Sequence, residues 1–243
     1  MTGADTFVET CRSALSGVWE AQRDAVLAAA DGIAARLAQG GVLHTFGTGH
    51  SSLLAQELFC RAGGLLSVNA ILDPRVLLSG GALQSTGAER RAGLAADILA
   101  GYDVRPGDAG LVISNSGRNA APVEMAQDMR RRGLFVVGLC SFAAAGAHPP
   151  RSDAGRLRDA VDVALDNGAP AGDAAIDVDG ADGRVGALST VLGAAILQAL
   201  HVAVVERLGE RRWIRVLPSA NVDAVPEPWS EEDQEIARRI THL

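Results

Sequence analysis

The sequence predicts an α/β protein: a three-layer sandwich in which a doubly wound, mainly parallel sheet of five strands is covered by helices on both faces. Short apolar runs alternate with segments of helical periodicity, and strands that are apolar on both faces are typical of a parallel sheet. Two of these runs end in glycine and serine directly before a helix. The 243 residues and 48% hydrophobic content allow a large core, so we expect one domain over residues 1–243.

The predicted elements follow in chain order. An N-terminal helical segment, residues 1–40, contains an amphipathic helix over Asp5–Leu37 that we expect to break near Gly17. An α/β core of residues 41–217 and a tail of residues 218–243 follow. The strands of the core are predicted at Leu43–Phe46, Leu66–Ala70, Leu111–Ser114, Phe135–Cys140 and Val161–Ala164. Its helices are predicted at Leu53–Ala62, Ala88–Leu99, Pro122–Arg132 and Leu188–Leu208.

Two segments do not fit this alternation. Residues 143–159 contain Pro149-Pro150 and several charges, and we expect a surface loop there. Residues 166–182 are rich in glycine, alanine and aspartate and predict a polar hairpin. The fragment Asp177-Val178-Asp179-Gly180 matches a small part of a calcium loop, but no glutamate closes it. We therefore expect no metal site.

Composition disfavours several classes of protein. A net charge of −7 argues against nucleic acid as the main partner. The chain has no lysine, which removes Walker-type phosphate binding and Schiff-base chemistry, including pyridoxal phosphate, and we expect no cofactor. Three cysteines in apolar segments, Cys11, Cys60 and Cys140, suit reduced thiols better than disulfides. No leader and no apolar run of membrane-spanning length is evident, so we expect a soluble, cytoplasmic protein.

The most informative segment is Ser114-Asn115-Ser116-Gly117-Arg118-Asn119, which lies between a buried strand and a helix. The first N–H groups of a helix lack intrahelical acceptors and attract anions. Ser114 and Ser116 add compact hydroxyl donors, and Gly117 lets the backbone approach the anion. The segment predicts a phosphate site. The alternative is an ordinary strand–helix turn in which Asn119 caps the helix.

A second loop, Gly47-Thr48-Gly49-His50-Ser51-Ser52, also lies between a strand and a helix. It lacks the third glycine of a dinucleotide-binding loop, because Leu53 occupies the position where the cofactor needs close approach. Ligands of parallel sheets bind beyond the carboxyl ends of the strands, so both loops are expected to face one crevice. Together they predict a sugar-phosphate site and not a nucleotide site.

These loops resemble those of the sugar isomerase (SIS) domain family, which includes phosphoheptose isomerases, arabinose-phosphate isomerases and N-acetylmuramic acid 6-phosphate etherases. The family's phosphate loop, roughly Ser-x-Ser-Gly-x-Ser/Thr, is matched by Ser114, Asn115, Ser116, Gly117 and Asn119. Its Gly-x-Gly-x-Ser is matched by Gly47, Gly49 and Ser51. The segments Glu57–Gly64 and Ser219-Ala220-Asn221-Val222-Asp223 resemble one branch that is grouped with phosphosugar isomerases.

The resemblance covers about residues 8–225 and implies a phosphorylated sugar as the ligand, with Thr48, Ser52 and Arg61 also near it. Members of the family assemble as dimers or tetramers. Two long helices are apolar over much of their surface, and we expect a homodimer or homotetramer.

An aldose–ketose isomerase needs a base near the bound sugar and an acid for its oxygen. Glu57 follows Ser51 by fewer than two helical turns, and His50 carries an imidazole, a common acid–base group, so both are candidates. The alternative for Glu57 is a surface ion pair with Arg61, four residues later.

Comparison with the family adds a third candidate. The family's catalytic glutamate falls here on Arg61, and its late histidine falls near Ala194, so that acid–base pair is not matched. Gly87-Ala88-Glu89, after Gly80-Gly81, resembles an etherase pattern and makes Glu89 a candidate. The alternative is a first-turn carboxylate that favours the helix dipole.

Three functions are compatible with these residues. The first is isomerisation of a phosphorylated sugar by Glu57 or Glu89, with His50 assisting. The second is a lyase or etherase reaction on an N-acetylated amino-sugar phosphate through Glu89. The third is a non-catalytic sugar-phosphate sensor that acts through a protein partner. The charged residues near the loops favour an enzyme.

Overall fold

The structure is a computed structural model that describes residues 2–209, 214–219, 221 and 228–243. Its main sheet has five parallel strands in the order β2-β1-β3-β4-β5. The strands are β1 (Leu43–Gly47), β2 (Val68–Ala70), β3 (Ala109–Ile113), β4 (Phe135–Cys140) and β5 (Val163–Asp166). The strand order changes direction between β1 and β3, which is the point where open α/β sheets bind ligands.

Helices cover both faces of the sheet, as the sequence predicted. They are α1 (Gly3–Leu37), α2 (Ser51–Glu57), α3 (Ala82–Ala88), α4 (Leu94–Leu99), α5 (Ala120–Arg131), α6 (Phe142–Ala147), α7 (Ser189–Gly209) and α8 (Glu231–Ala237). Side chains alternate along β3: Leu111 and Ile113 pack in one cluster with α1, α2 and α7, while Val112 packs in another with α4 and α5. Because both clusters are buried, the strands are apolar on both faces.

Helix α1 does not break at Gly17. It begins with a capping box between Thr2 and Asp5 and continues without interruption to Leu37. A glycine inside a helix costs only about 1 kcal/mol relative to alanine. Helix α1 packs along α7 and buries Val26, Ile33 and its other apolar residues, which offsets that cost.

Two helix predictions were too long. The first was Leu53–Ala62, but α2 ends at Glu57 and Cys60 has a positive φ of 40°. Of the second, Ala88–Leu99, only Ala88, the last residue of α3, and α4 are helical, and Gly93 at φ 79° precedes α4. A left-handed residue cannot continue a right-handed helix, so both interruptions are local backbone features.

The predicted surface loop at residues 143–159 contains more regular secondary structure than expected. It contains most of α6 and a 3-10 turn at Leu157–Asp159, whose Leu157 is fully buried. The predicted polar hairpin has two short antiparallel strands, β6 (Ala174–Ile176) and β7 (Val185–Ala187). In the late segment, Ser219 and Asn221 are described, whereas Ala220, Val222 and Asp223 lie outside the described residues.

Among the residues that the structure describes, α7 is the one helix with the length and apolar composition to cross a membrane. The sequence was expected to contain no run of this kind, and α7 meets the criterion by length and composition only. Its most apolar stretch is 50% buried, and it packs against α1 and α2. The core helix of a folded domain has the same features.

A buried polar network lies at the amino-terminal edge of the sheet, opposite the glycine–serine loops. His44 Nε2 is 3.1 Å from Asp108 Oδ2, and Arg239 Nη2 donates to the same oxygen at 2.5 Å. Burial alone would raise the pKa of Asp108, but hydrogen bonds from His44, Arg239 and two backbone N–H groups hold it at about 2. Arg239 lies beyond α8, so the network joins the C-terminal segment to the sheet.

Candidate functional site

A cleft lies beyond the carboxyl ends of β1 and β3, which are neighbours with Gly47 opposite Ile113. One part has a volume of about 350 Å³ and is lined by residues of the first loop and of α7, among them His50, Ser51, Ser189 and Thr190. The adjoining part, about 380 Å³, is lined by residues of the second loop and of residues 144–151. Asn115, Gly172 and Asp173 line both parts, so we treat them as one cleft.

The first loop is shaped by two glycines. A Cβ on Gly47 would lie 2.3 Å from the backbone oxygen of Ser51, so no other residue fits at this position. Gly49 has a φ of 54°, and its carbonyl accepts a 2.7 Å hydrogen bond from Ser52 Oγ. This tight turn buries Thr48 and Ser52 and leaves His50 and Ser51 at the cleft wall.

The second loop is closed by Gly117, which has a φ of 59° and donates its N–H to the carbonyl of Ser114 at 3.0 Å. The backbone N–H groups of Ser116 and Arg118 have no acceptor among the described residues, so they are free to bind an anion. The Ser116 side chain lines the cleft beside them. The loop therefore offers neutral donors of the kind that bind phosphate.

Helix α5 contributes less to anion binding than the sequence indicated. It begins at Ala120, before Pro122. The N–H of Ala121 already donates to the carbonyl of Glu89 at 3.0 Å, and Pro122 has no N–H. The backbone N–H groups of Ser116 and Arg118 in the loop have no acceptor in the described part of the chain, whereas that of Ala121 is occupied.

Asn119 precedes α5 but does not cap it with its side chain. The residue is 5% exposed, it lines the cleft, and its Oδ1 has no hydrogen-bond partner in the described part of the chain. A buried amide oxygen without a donor is costly, and a ligand hydroxyl would satisfy it. Nearby, Asn115 Oδ1 accepts a 3.0 Å hydrogen bond from Asn167 Nδ2, which fixes the Asn115 side chain.

Glu89 lies at the same end of the cleft as Ser116 and Asn119. It follows the last residue of α3, so the alternative of a first-turn carboxylate was wrong. Thr48 Oγ1 donates a 2.6 Å hydrogen bond to Glu89 Oε2, which joins the first loop to this carboxylate.

Glu57 and Arg61 are not among the residues that line the cleft. Their side chains form an ion pair with each other, and Gln198 Nε2 donates to Glu57 Oε1 at 2.9 Å. This arrangement is the ion pair that the four-residue spacing allowed. The structure therefore separates Glu57 and Arg61 from His50 and Glu89, although all four were candidates.

Several residues at the cleft had not been singled out as candidates from the sequence. Asp173 has a positive φ of 68°, and its carboxylate accepts hydrogen bonds from the N–H groups of Leu188 and Ser189 and from Ser189 Oγ. It caps α7 from the neighbouring hairpin. Three arginines, Arg90, Arg118 and Arg151, also line the cleft. Their spacing in the sequence is irregular and contains no signal that could have grouped them.

No group of three or more His, Cys, Asp or Glu side chains is arranged to hold a metal ion within residues 2–209, 214–219, 221 and 228–243. In the segment that partly resembled a calcium loop, Asp177 lies 3.3 Å from Arg184 and is exposed. Cys140 is buried behind Gly117, and burial raises the pKa of its thiol to about 12.

The fold and the cleft define an α/β protein whose cleft lies beyond the carboxyl ends of its strands, where open parallel sheets bind ligands. The family model of the SIS domain matches residues 6–141 of this chain. A UPF0309 protein of Caldanaerobacter subterraneus is 36% identical over 98% of this chain and 99% of its own. One of Brucella anthropi is 36% identical over 98% of each. The chain belongs to the SIS domain family and, within it, to the UPF0309 proteins.

Solved structures share the fold at low identity. A phosphoheptose isomerase from Francisella tularensis has a TM-score of 0.55 at 17% identity and covers 85% of this chain and 100% of its own. The phosphoheptose isomerase GmhA from Neisseria gonorrhoeae has a TM-score of 0.54 at 18% identity, and the match covers 84% of this chain and 96% of that enzyme. The Vibrio vulnificus NanR protein complexed with ManNAc-6P has a TM-score of 0.50 at 16% identity, over 86% of this chain and 64% of its own.

Proposed function

We propose that this protein binds a phosphorylated sugar in the cleft and isomerises it between its aldose and ketose forms. The observation that carries the proposal is the combination of an anion-binding loop and a carboxylate at one end of the cleft. Ser116, with its free N–H, lies there with Asn119 and Glu89. The phosphoheptose isomerases that share the fold support the same class of reaction.

In this proposal the second loop, Ser114 to Asn119, holds the phosphate, and the sugar extends along the cleft toward Ser51 and Thr190. Glu89 is the general base that moves the proton between adjacent carbons, and His50 exchanges a proton with the sugar oxygen. The hydrogen bond from Thr48 fixes one oxygen of Glu89 and leaves the other for the substrate. Glu57 has no role in the chemistry, because its carboxylate is paired with Arg61.

A sugar-phosphate sensor is the second candidate. It is supported by NanR, which shares the fold and is complexed with ManNAc-6P. The same cleft would then bind the ligand without turnover and signal through a protein partner. A lyase or etherase reaction on an N-acetylated amino-sugar phosphate would also use Glu89, and only the products distinguish it from isomerisation.

A thermal-shift screen tests the proposal. Purified protein is heated with aldose and ketose phosphates, their N-acetylated forms and the unphosphorylated sugars. A ligand that binds the folded state raises the unfolding midpoint by mass action. We expect a shift with a phosphorylated sugar only, followed by interconversion of that sugar in an NMR assay. Binding without turnover would favour the sensor, and no shift with any phosphate would contradict both candidates.

We further propose that the protein is cytoplasmic and acts as a homodimer. Three apolar side chains on one side of α1, Val8, Leu15 and Trp19, are exposed by 66%, 40% and 37%. Contiguous apolar surface of this kind is typical of interfaces. Light scattering tests the assembly: a mass that remains at the monomer value at all concentrations contradicts it.

A further inference from the structure

Three arginines lie at the end of the cleft that contains the phosphate loop: Arg90, Arg118 and Arg151. In the part of the chain that the structure describes, none of them has a carboxylate at ion-pair distance. Arg118 Nη1 donates to the carbonyl of Pro149 at 3.1 Å and keeps its other donors available. Many other arginines are paired with carboxylates; Arg75, for example, contacts both Asp73 and Asp97. Unlike Arg75, the three cleft arginines form no ion pair with a described carboxylate.

The arginines are close enough to repel one another. Arg151 is exposed, and slight desolvation together with the charges of Arg118 and Arg90 lowers the pKa of its guanidinium. Of the carboxylates that line this part of the cleft, Glu89 opposes the three charges, while Asp173 is occupied at the start of α7. The remaining positive excess matches a phosphate monoester, which carries about −1.5 to −2 charges at pH 7.

The backbone holds this cluster against the phosphate loop. The N–H of Arg151 donates to the carbonyl of Arg118 at 3.0 Å, and the N–H of Leu157 donates to the carbonyl of Gly117 at 2.8 Å. The Arg156 side chain contacts the carbonyl of Ala145. Residues 148–157 are thus docked on the second loop. Asn119, whose buried Oδ1 has no partner among the described residues, lines the same space.

We propose that Arg90, Arg118 and Arg151 bind the phosphate group directly, together with Ser116, and so fix the direction in which the ligand lies. The phosphate lies at the arginine end, beside Glu89, and the carbon chain extends toward the part of the cleft lined by Ser51 and Ser189. The proposal rests on the proposed function, because it assumes a phosphorylated ligand. It adds an electrostatic phosphate clamp, formed by the three arginines, to a loop that carries only neutral donors.

Inorganic phosphate is the probe for the test, and its affinity is measured by calorimetry. Arg90→Gln, Arg118→Gln and Arg151→Gln are each expected to weaken phosphate binding by about 10- to 100-fold, the range for losing a hydrogen bond between charged groups. Arg91→Gln is the matched control, because Arg91 is the exposed neighbour of Arg90 and does not line the cleft. It should bind phosphate like the wild type. Circular dichroism and unfolding midpoints establish that all variants fold.

Salt provides an independent measurement. Wild-type affinity should fall with added sodium chloride, and each clamp variant should show a smaller dependence than Arg91→Gln. Arg118→Lys, which keeps the charge, should recover part of the affinity that Arg118→Gln loses.

Two results overturn the inference in different ways. If Ser116→Ala loses phosphate binding while all three arginine variants keep wild-type affinity, the loop binds phosphate alone and the arginine clamp is wrong, although the proposed function survives. If wild-type protein binds neither inorganic phosphate nor any sugar phosphate, the proposed function fails and the inference fails with it.

Discussion

The hydrogen bond from Thr48 Oγ1 to Glu89 Oε2 joins the loop after β1 to the end of α3 over 2.6 Å. The carbonyl of Glu89 accepts the N–H of Ala121 in α5, so this one residue contacts both loop regions of the cleft. Thr48 holds the carboxylate and Ala121 holds the backbone of the same residue, so the carboxylate keeps a fixed position beside a bound ligand, and acid–base catalysis requires such positioning.

Replacing Glu89 tests its role as a base. In Glu89→Gln the side chain keeps its shape and can still contact Thr48, but it can no longer accept a proton. We expect turnover to fall by about 10²- to 10⁴-fold, the usual contribution of general acid–base catalysis, while affinity for the sugar phosphate changes little. Turnover by NMR and binding by calorimetry measure the two effects separately.

Glu57→Gln is the control, because the two carboxylates competed as candidates. The substitution removes the negative charge that pairs with Arg61 on the protein surface, and it should leave turnover within a few-fold of wild type. If Glu57→Gln abolishes turnover and Glu89→Gln does not, the assignment of the base is reversed.

Ser116→Ala tests the phosphate loop. The change removes one hydroxyl donor and should weaken binding of the sugar phosphate by about 1–3 kcal/mol, the range for a hydrogen bond to a charged group. The unfolding midpoint of the free protein should be nearly unchanged, since Ser116 is only half-buried at the cleft wall. Unaltered affinity in calorimetry contradicts the phosphate assignment.

Two glycine substitutions should have opposite effects on stability. In Gly47→Ala the new methyl group would lie 2.3 Å from the backbone oxygen of Ser51, so the first loop must shift and the protein should lose stability and ligand affinity. In Gly17→Ala the methyl group meets nothing within 4 Å, and an exposed helix should gain about 0.5–1 kcal/mol. Urea unfolding measures both. If the two substitutions change the free energy of unfolding equally, the turn at Gly47 tolerates a side chain.

The buried Asp108 predicts how stability depends on pH. Its pKa in the folded protein, about 2, lies below the ordinary value of 3.8, so its contribution is present above pH 4 and is lost as the pH falls from 4 toward 2. A shift of this size corresponds to about 2 kcal/mol. Asp108→Asn leaves Arg239 buried without its partner and should cost about 3–5 kcal/mol at pH 7.

Urea unfolding at pH 7, 4 and 2.5 compares this variant with Asp97→Asn, which removes an exposed partner of Arg75. The control should lose less than about 1 kcal/mol. If the loss of wild-type stability between pH 4 and pH 2.5 is as large in Asp108→Asn as in the wild type, another group is responsible for it.

The sheet was predictable because its strands are short, apolar and bounded by glycine or serine. The five predicted strands overlap β1 to β5, and the end of Leu188–Leu208 is within one residue of the end of α7. The ends of the helices near residues 57–62 and 88–99 were not predictable, because they depend on single left-handed residues, Cys60 and Gly93. Cys60 in particular gives no such signal in the sequence.

The glycine–serine loops were found from the sequence because glycine and small hydroxyl residues between a strand and a helix have a local physical meaning. The partners of Glu89 and Glu57 were harder to infer. Thr48 meets Glu89 across 41 positions in the chain, and Gln198 meets Glu57 across 141. Contacts of this length follow from the folded arrangement of strands and helices, which residue spacing alone does not encode. The arginine cluster was missed for the same reason.

The contact between Asp108 and Arg239 also bears on how the chain is made. The two residues are 131 positions apart, so the ribosome completes β1 and β3 long before it adds the guanidinium that neutralises the carboxylate between them. Until then, the partners available to Asp108 in this network are His44 and the backbone N–H groups of Val42 and Arg105. Arg239 therefore completes this hydrogen-bond network at the end of synthesis. The sheet reaches its final stability only when the residues near position 239 have left the ribosome.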